Sequence, residues 1–133
     1  MSTLKAFLHP VQVSNQEVVI SNRFIEDGKV VPFVIKPITQ EDNKRLITLY
    51  TKKDKKGSES FNRNEYVSAL TASAVVFPDL SNAELQKAYG VIGETSLLHK
   101  MLLVGEYADL AQAVQVLSGL EKDINEDIEE AKN

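Results

Sequence analysis

No cysteine occurs among the 133 residues of this chain. That excludes a disulfide framework, a thiolate metal site, thiol redox chemistry and a cysteine nucleophile. Histidine is scarce: His9 precedes Pro10 near the N-terminus, and His99 stands between Leu98 and Lys100. No His-x-x-x-His pair or aspartate cluster accompanies them, so both read as structural or surface residues, and neither a metal nor a cofactor is implied. Apolar runs reach only four or five residues, against the ~20 that a membrane span needs. No basic region leads into an apolar core at the N-terminus, so no secretion signal is expected. A repeat period of about 20–50 residues, the mark of a solenoid, is also missing. Together these absences predict a soluble cytoplasmic protein without membrane association.

Charge is unevenly placed. Residues 1–120 carry 13 basic and 13 acidic side chains, whereas 121–133 (EKDINEDIEEAKN) carry six acidic and two basic, the whole of the net −4. Within 44–56 the excess has the opposite sign, with Lys44, Arg45, Lys52, Lys53, Lys55 and Lys56 against Asp54 alone. Such polarity marks either an interaction surface or plain solvated surface.

Along the chain, Ser2-Thr3 can cap one helical turn through Leu4, Phe7 and Leu8, ended by Pro10. Two β-prone runs, 17–25 and 30–38, flank Glu26-Asp27-Gly28-Lys29, a good hairpin signal. Pro32 and Pro37 lack N–H donors, which predicts an edge or a short second strand. Thr39 opens a helix to about Tyr50, and the polar stretch 51–61 reads as a mobile loop. Asn62 caps the next helix, with Glu65 completing a capping box. Tyr66, Leu70, Ala74 and Phe77 form its apolar face until Pro78. Ser81 or Asn82 caps a short helix ended by Gly90. A helix from Gly93 or Glu94 presents Leu97, Leu98, Met101 and Leu102 and ends at Gly105. Another, from Glu106, presents Tyr107, Leu110, Val114 and Leu117 before Gly119.

The expected fold is therefore mainly α: about five short helices in a compact bundle (39–118) with an N-terminal β-hairpin (17–38), a single domain over 1–119. Beyond it, Leu120, Ile124 and Ile128 continue a four-residue spacing through the acidic tail 120–133. Either the tail is an amphipathic helix seeking a groove, in this chain, a neighbouring copy or a partner, or it is a frayed end with incidental isoleucines.

Catalytic signatures are hard to find. Ser58, Ser60, Ser68, Ser73 and Ser96 lack the nucleophile-elbow context. Gly90-Val-Ile-Gly93 joins two helices and follows no strand, so it is a poor phosphate cradle. The acidic pairs Glu41-Asp42 and Glu129-Glu130 read as solvated. Lys52, Lys53, Lys55 and Lys56 can touch phosphates, but interleaved aromatics and a recognition helix are missing, which argues against nucleic acid.

What the chain does contain is an ordered pattern. It runs through Asn64-Glu65-Tyr66, Phe77-Pro78-Asp79-Leu80, Glu84-Leu85-Gln86, Tyr89-Gly90, Leu97-Leu98, Met101-Leu102 and Gly105-Glu106-Tyr107. In that order these residues resemble the tail assembly chaperones of phages and defective prophages of Gram-positive bacteria, the PBSX type. The resemblance implies a non-enzymatic protein of the host cytoplasm, absent from the mature virion. It implies binding to the tape measure protein, recruitment of the tail tube protein, and self-association. Leu120, Ile124 and Ile128, with the hairpin edge near Val30 and Val34, are the candidate contact residues. The alternative is a small prophage-encoded regulatory or nucleic-acid-binding protein that uses the basic loop.

Overall fold

Asp27 and Gly28 both take positive φ, 53° and 77°, the backbone of a tight two-residue hairpin turn. The computed structural model describes residues 3–120 of the chain. The elements run α1 (Leu4–Leu8), β1 (Gln16–Val18), β2 (Ile25–Glu26), β3 (Lys29–Val30), β4 (Phe33–Ile35) and α2 (Gln40–Leu49). There follow β5 (Thr51–Lys53), β6 (Glu59–Phe61), α3 (Arg63–Ala74), β7 (Val75–Phe77), α4 (Ala83–Ala88), α5 (Glu94–Met101) and α6 (Val104–Leu117).

Helix starts follow their side chains. Thr39 Oγ1 accepts the Asp42 N–H at 3.2 Å, Asn62 Oδ1 accepts from Glu65 at 3.1 Å, and Asn82 Oδ1 accepts from Leu85 at 2.9 Å. Each satisfies one of the donors that a helix N-terminus leaves open. The capping box expected at Asn62 is half formed, because the Asn62 N–H donates to the Tyr50 carbonyl instead. At the far end of α6, Gly119 at φ 78° lets the Leu120 N–H reach Gln115 O at 2.8 Å. That six-to-one bond is the mark of a Schellman stop.

The fold is mixed α/β, and the expectation of a mainly α bundle of about five helices is wrong. Among the described residues 47% are helical and 16% lie in strands, as six helices and seven strands in three sheets. Three local readings account for the error. The helix expected to reach Phe77 stops at Ala74, and β-branched Val75 and Val76 with Phe77 form β7 instead. The expected loop 51–61 is the antiparallel hairpin β5–β6. Its tip is tied by Asp54 Oδ1, which accepts the Lys56 and Ser58 N–H groups at 2.8 and 2.9 Å. The third concerns β4. It is short, as one of the two expected alternatives has it, but it belongs to more than a lone hairpin: it is the centre of the sheet β1-β4-β7, paired antiparallel on both sides. Pro32 and Pro37 confine it to three residues without excluding it from the middle. Gly105, expected as a stop, sits in the first turn of α6.

Sheet and helices share one apolar cluster. Phe33 and Ile35 from β4 meet Leu70 of α3, Leu97 and Leu98 of α5, and Leu110 and Val114 of α6. Each such side chain, fully buried, contributes roughly 1.5–3 kcal/mol over leaving it in water. The buried hydroxyl of Thr71 donates to Val67 O at 2.8 Å, and no buried side-chain polar atom of the described residues lacks a partner.

One polar clasp closes the periphery. Arg23 Nε donates to Glu106 Oε2 at 2.9 Å, its Nη2 to Glu106 Oε1, and the same Nη2 to Met101 O at 3.0 Å. Glu106 also accepts the Leu103 N–H at 2.8 Å, which caps α6 from within. The Arg23 guanidinium, then Ser21 and the Leu103 amide, hold the Glu106 carboxyl down at about 2.

Candidate protein-interaction surface

Helix α1 buries none of its residues. Its five-residue length is too short to persist by local energetics alone, and it leads through Pro10 into a stretch without regular structure up to β1. Phe7 is 80% and Val11 96% exposed, with Leu4, Leu8 and Val13 also in solvent. Five large apolar side chains within ten residues stand away from the core. Scattered apolar surface is ordinary, and a run of exposed apolar side chains this dense makes the arm a candidate contact segment.

A second apolar area lies around β7. Phe77 is 49% exposed on this edge strand, and the Phe77–Pro78 peptide bond is cis. Phe24, Phe33, Phe77, Pro78, Leu85 and Tyr89 are among the residues lining a groove of about 210 Å³ beside it. Ile92 and Val104 add single exposed side chains elsewhere.

The basic residues gather on α2 and the β5–β6 hairpin. Arg45 pairs with Asp42 at 3.1 Å and Lys53 with Glu59 at 3.7 Å, both in water-exposed settings where such pairs contribute little. Lys44, Lys52, Lys55 and Lys56 have no ion-pair partner among the described residues.

One constellation brings together groups far apart in sequence. Ser68 Oγ lies 3.1 Å from His99 Nε2 and accepts the Tyr107 hydroxyl at 3.1 Å. The Tyr107 ring stands edge-on to the imidazole at 5.2 Å. With the proton on Nδ1, Ser68 donates to Nε2, so the three groups form a polar tie between α3, α5 and α6. No described residue bonds the other imidazole nitrogen, so the orienting third member of a hydrolytic triad is not part of this cluster. Among the described residues no group of three or more His, Asp or Glu could hold a metal ion, and no helix is long and apolar enough to cross a membrane.

Of the contact residues named from sequence, Leu120 is 48% exposed just past the α6 stop, and Ile124 and Ile128 lie outside the described residues. Val30 is exposed on β3, whereas Val34 is half-buried in the central strand β4, on the face opposite the buried Phe33 and Ile35. The N-terminal arm and the Phe77 face were missed. Leu4, Phe7, Leu8 and Val11 follow the i, i+3, i+4, i+7 spacing of one helical face, which reads like any core-facing stripe, and only Pro10 within it signals that the helix stops short.

A family model for phage XkdN-like tail assembly chaperone proteins matches residues 4–132. The phage-like element PBSX protein XkdN of Bacillus subtilis strain 168 is 28% identical over 129 residues, covering 92% of this chain and 87% of that protein. The uncharacterized protein YqbN of the same strain is 29% identical over 127 residues, covering 91% of this chain and 85% of its own length. The crystal structure of the protein YqbN matches with a TM-score of 0.74 at 24% identity, over 90% of this chain and 98% of that one, which shows a shared fold.

Proposed function

This chain belongs to the phage XkdN-like tail assembly chaperone family, of the PBSX type, and from that premise we propose that it works by gripping the tape measure protein during tail assembly. The observation that supports this reading is the N-terminal arm. Phe7, Leu8, Val11 and Val13 are held largely in water next to a well-packed body. Docked on the apolar face of a long, aggregation-prone partner, each of these side chains would recover a large part of the ~1.5–3 kcal/mol that burial is worth. Many copies along one extended partner would reinforce one another through effective concentration. Recruitment of the tail tube protein would then use other faces of the coated partner. The process requires no bond to be made or broken, and it takes place in the host cytoplasm.

The test is co-expression of this chain with the tape measure protein of its own phage or prophage. The native chain should carry that protein into the soluble fraction and co-purify with it. Phe7→Ser with Val11→Ser should abolish both effects while circular dichroism and Tm stay unchanged. Equal solubilisation by the double variant would remove the arm from the mechanism, and failure of the native chain to hold the tape measure protein would remove the function itself.

A further inference from the structure

The apolar groove beside β7 has well-supported walls. Phe24 and Phe33 set their rings 5.9 Å apart at 52°, and the Arg23 guanidinium lies 5.2 Å over the Phe24 ring while it holds Glu106. Phe77, Leu85 and Tyr89 belong to the same lining. A recess already in shape costs little ordering when it is filled. Apolar surface continues around it. Val76 of β7 is exposed, as is the cross-strand pair Ile25–Val30, whose chain neighbours Phe24 and Val31 line the groove.

The same chain carries an apolar arm that lies elsewhere. β1 and β7 are opposite edges of one sheet. The arm joins β1 at Gln16, level with Ile35, whereas the groove lies toward Phe33 and Phe77. Phe7 and Val11, 80% and 96% exposed, fill no part of it. Residues 10–15 have no regular structure, and six residues span up to about 20 Å, enough to carry Phe7 across to a neighbouring molecule.

We propose that two copies exchange their N-terminal arms, each placing Phe7 in the groove of the other and laying Val11 and Val13 on the exposed rim around Phe77. The areas suit a specific pair. Phe7, Leu8, Val11 and Val13 offer about 400 Å² of apolar surface per arm. Two arms, each covering an equal area of groove and rim, hide about 1,600 Å² in all, the standard size for a specific protein interface. A ring entering a recess walled by Phe24, Phe33 and Phe77 also gains edge-to-face partners. The exchange is reciprocal, so it closes at two chains. It employs the arm that the proposed function assigns to the tape measure protein but does not rest on that reading, because the pairing is a property of this chain alone.

The chain has no cysteine of its own, so single thiols report the contact. His9→Cys on the arm and Glu84→Cys beside Leu85 leave Phe7, Val11 and Phe77 in place. Mixed in equal amounts under mild oxidation, these two full-length proteins should form a disulfide between chains about tenfold faster than His9→Cys mixed with Gln112→Cys on α6, because docking raises the local thiol concentration. Phe7→Ser with Val11→Ser in the arm protein, or Phe77→Ser in the groove protein, should erase that advantage. Tm verifies that each variant is folded, and the arm variant serves alone if Phe77→Ser is not. Sedimentation equilibrium of the native chain should show one chain at low concentration and two at high. A native chain that stays single at every concentration, equal rates for the two mixtures, or an advantage that survives the arm variant would overturn the proposal. A chain that captures the tape measure protein yet forms no arm-to-groove link loses this inference and keeps the proposed function.

Discussion

Two apolar populations coexist in this small protein, and they do different work. Ile35, Leu70, Leu97, Leu98, Leu110 and Val114 are sealed inside the cluster where sheet and helices meet. Phe7, Leu8, Val11 and Val13 hang in water on an arm that buries nothing in its short helix. The same side-chain chemistry supplies folding energy in one place and is held in reserve in the other. On the proposed function, stability and partner capture sit on separate residues, and substitutions should move them independently.

The sharpest way to break that division is Leu98→Ala, which should cost about 2–5 kcal/mol through lost burial and a residual cavity. Tm and denaturant midpoints read it, and any loss of partner binding should track the unfolded fraction. Next comes the clasp. Glu106 is held at about 2, below its ordinary 4.5, so the stabilisation it gives is complete above pH 4.5 and is lost as pH falls toward 2. Glu106→Gln should be less stable at neutral pH and should show a flatter decline of Tm across that acid range. An equal decline would mean that other carboxyls govern acid unfolding. Asn62→Ala should cost about 1 kcal/mol by opening the α3 cap, again read by Tm. Smallest of all, Phe7→Ser with Val11→Ser should leave stability within about 0.5 kcal/mol yet abolish capture of the tape measure protein. A large fall in Tm there would collapse the distinction between the two populations.

The same division explains what could be read from the amino acids alone. Caps at Thr39, Asn62 and Asn82, the Asp27-Gly28 turn and the Gly90 and Gly119 stops are local, each fixed within a few residues, and the structure forms them. Leu70, Leu97, Leu98, Leu110 and Val114 were legible from helical spacing and are buried. Strand β7 was not legible, because Val75 to Phe77 extends a helical spacing and becomes a strand only by pairing with β4, some forty residues earlier. The β5–β6 hairpin was hidden by lysines that favour solvent over any pattern. The exposure of the arm was not legible for a further reason: the helical spacing of Leu4, Phe7, Leu8 and Val11 places them on one face but does not say whether anything covers it.

The brevity of the strands carries a last consequence. β4, although central, spans three residues between Pro32 and Pro37, and the edge strand β7 ends at Pro78. Fibril growth needs a longer ladder free of proline onto which identical chains can stack. If the proposed function holds and many copies crowd along one extended polypeptide, the described strands deny them a cross-β template of their own, and the crowding does not lead to amyloid.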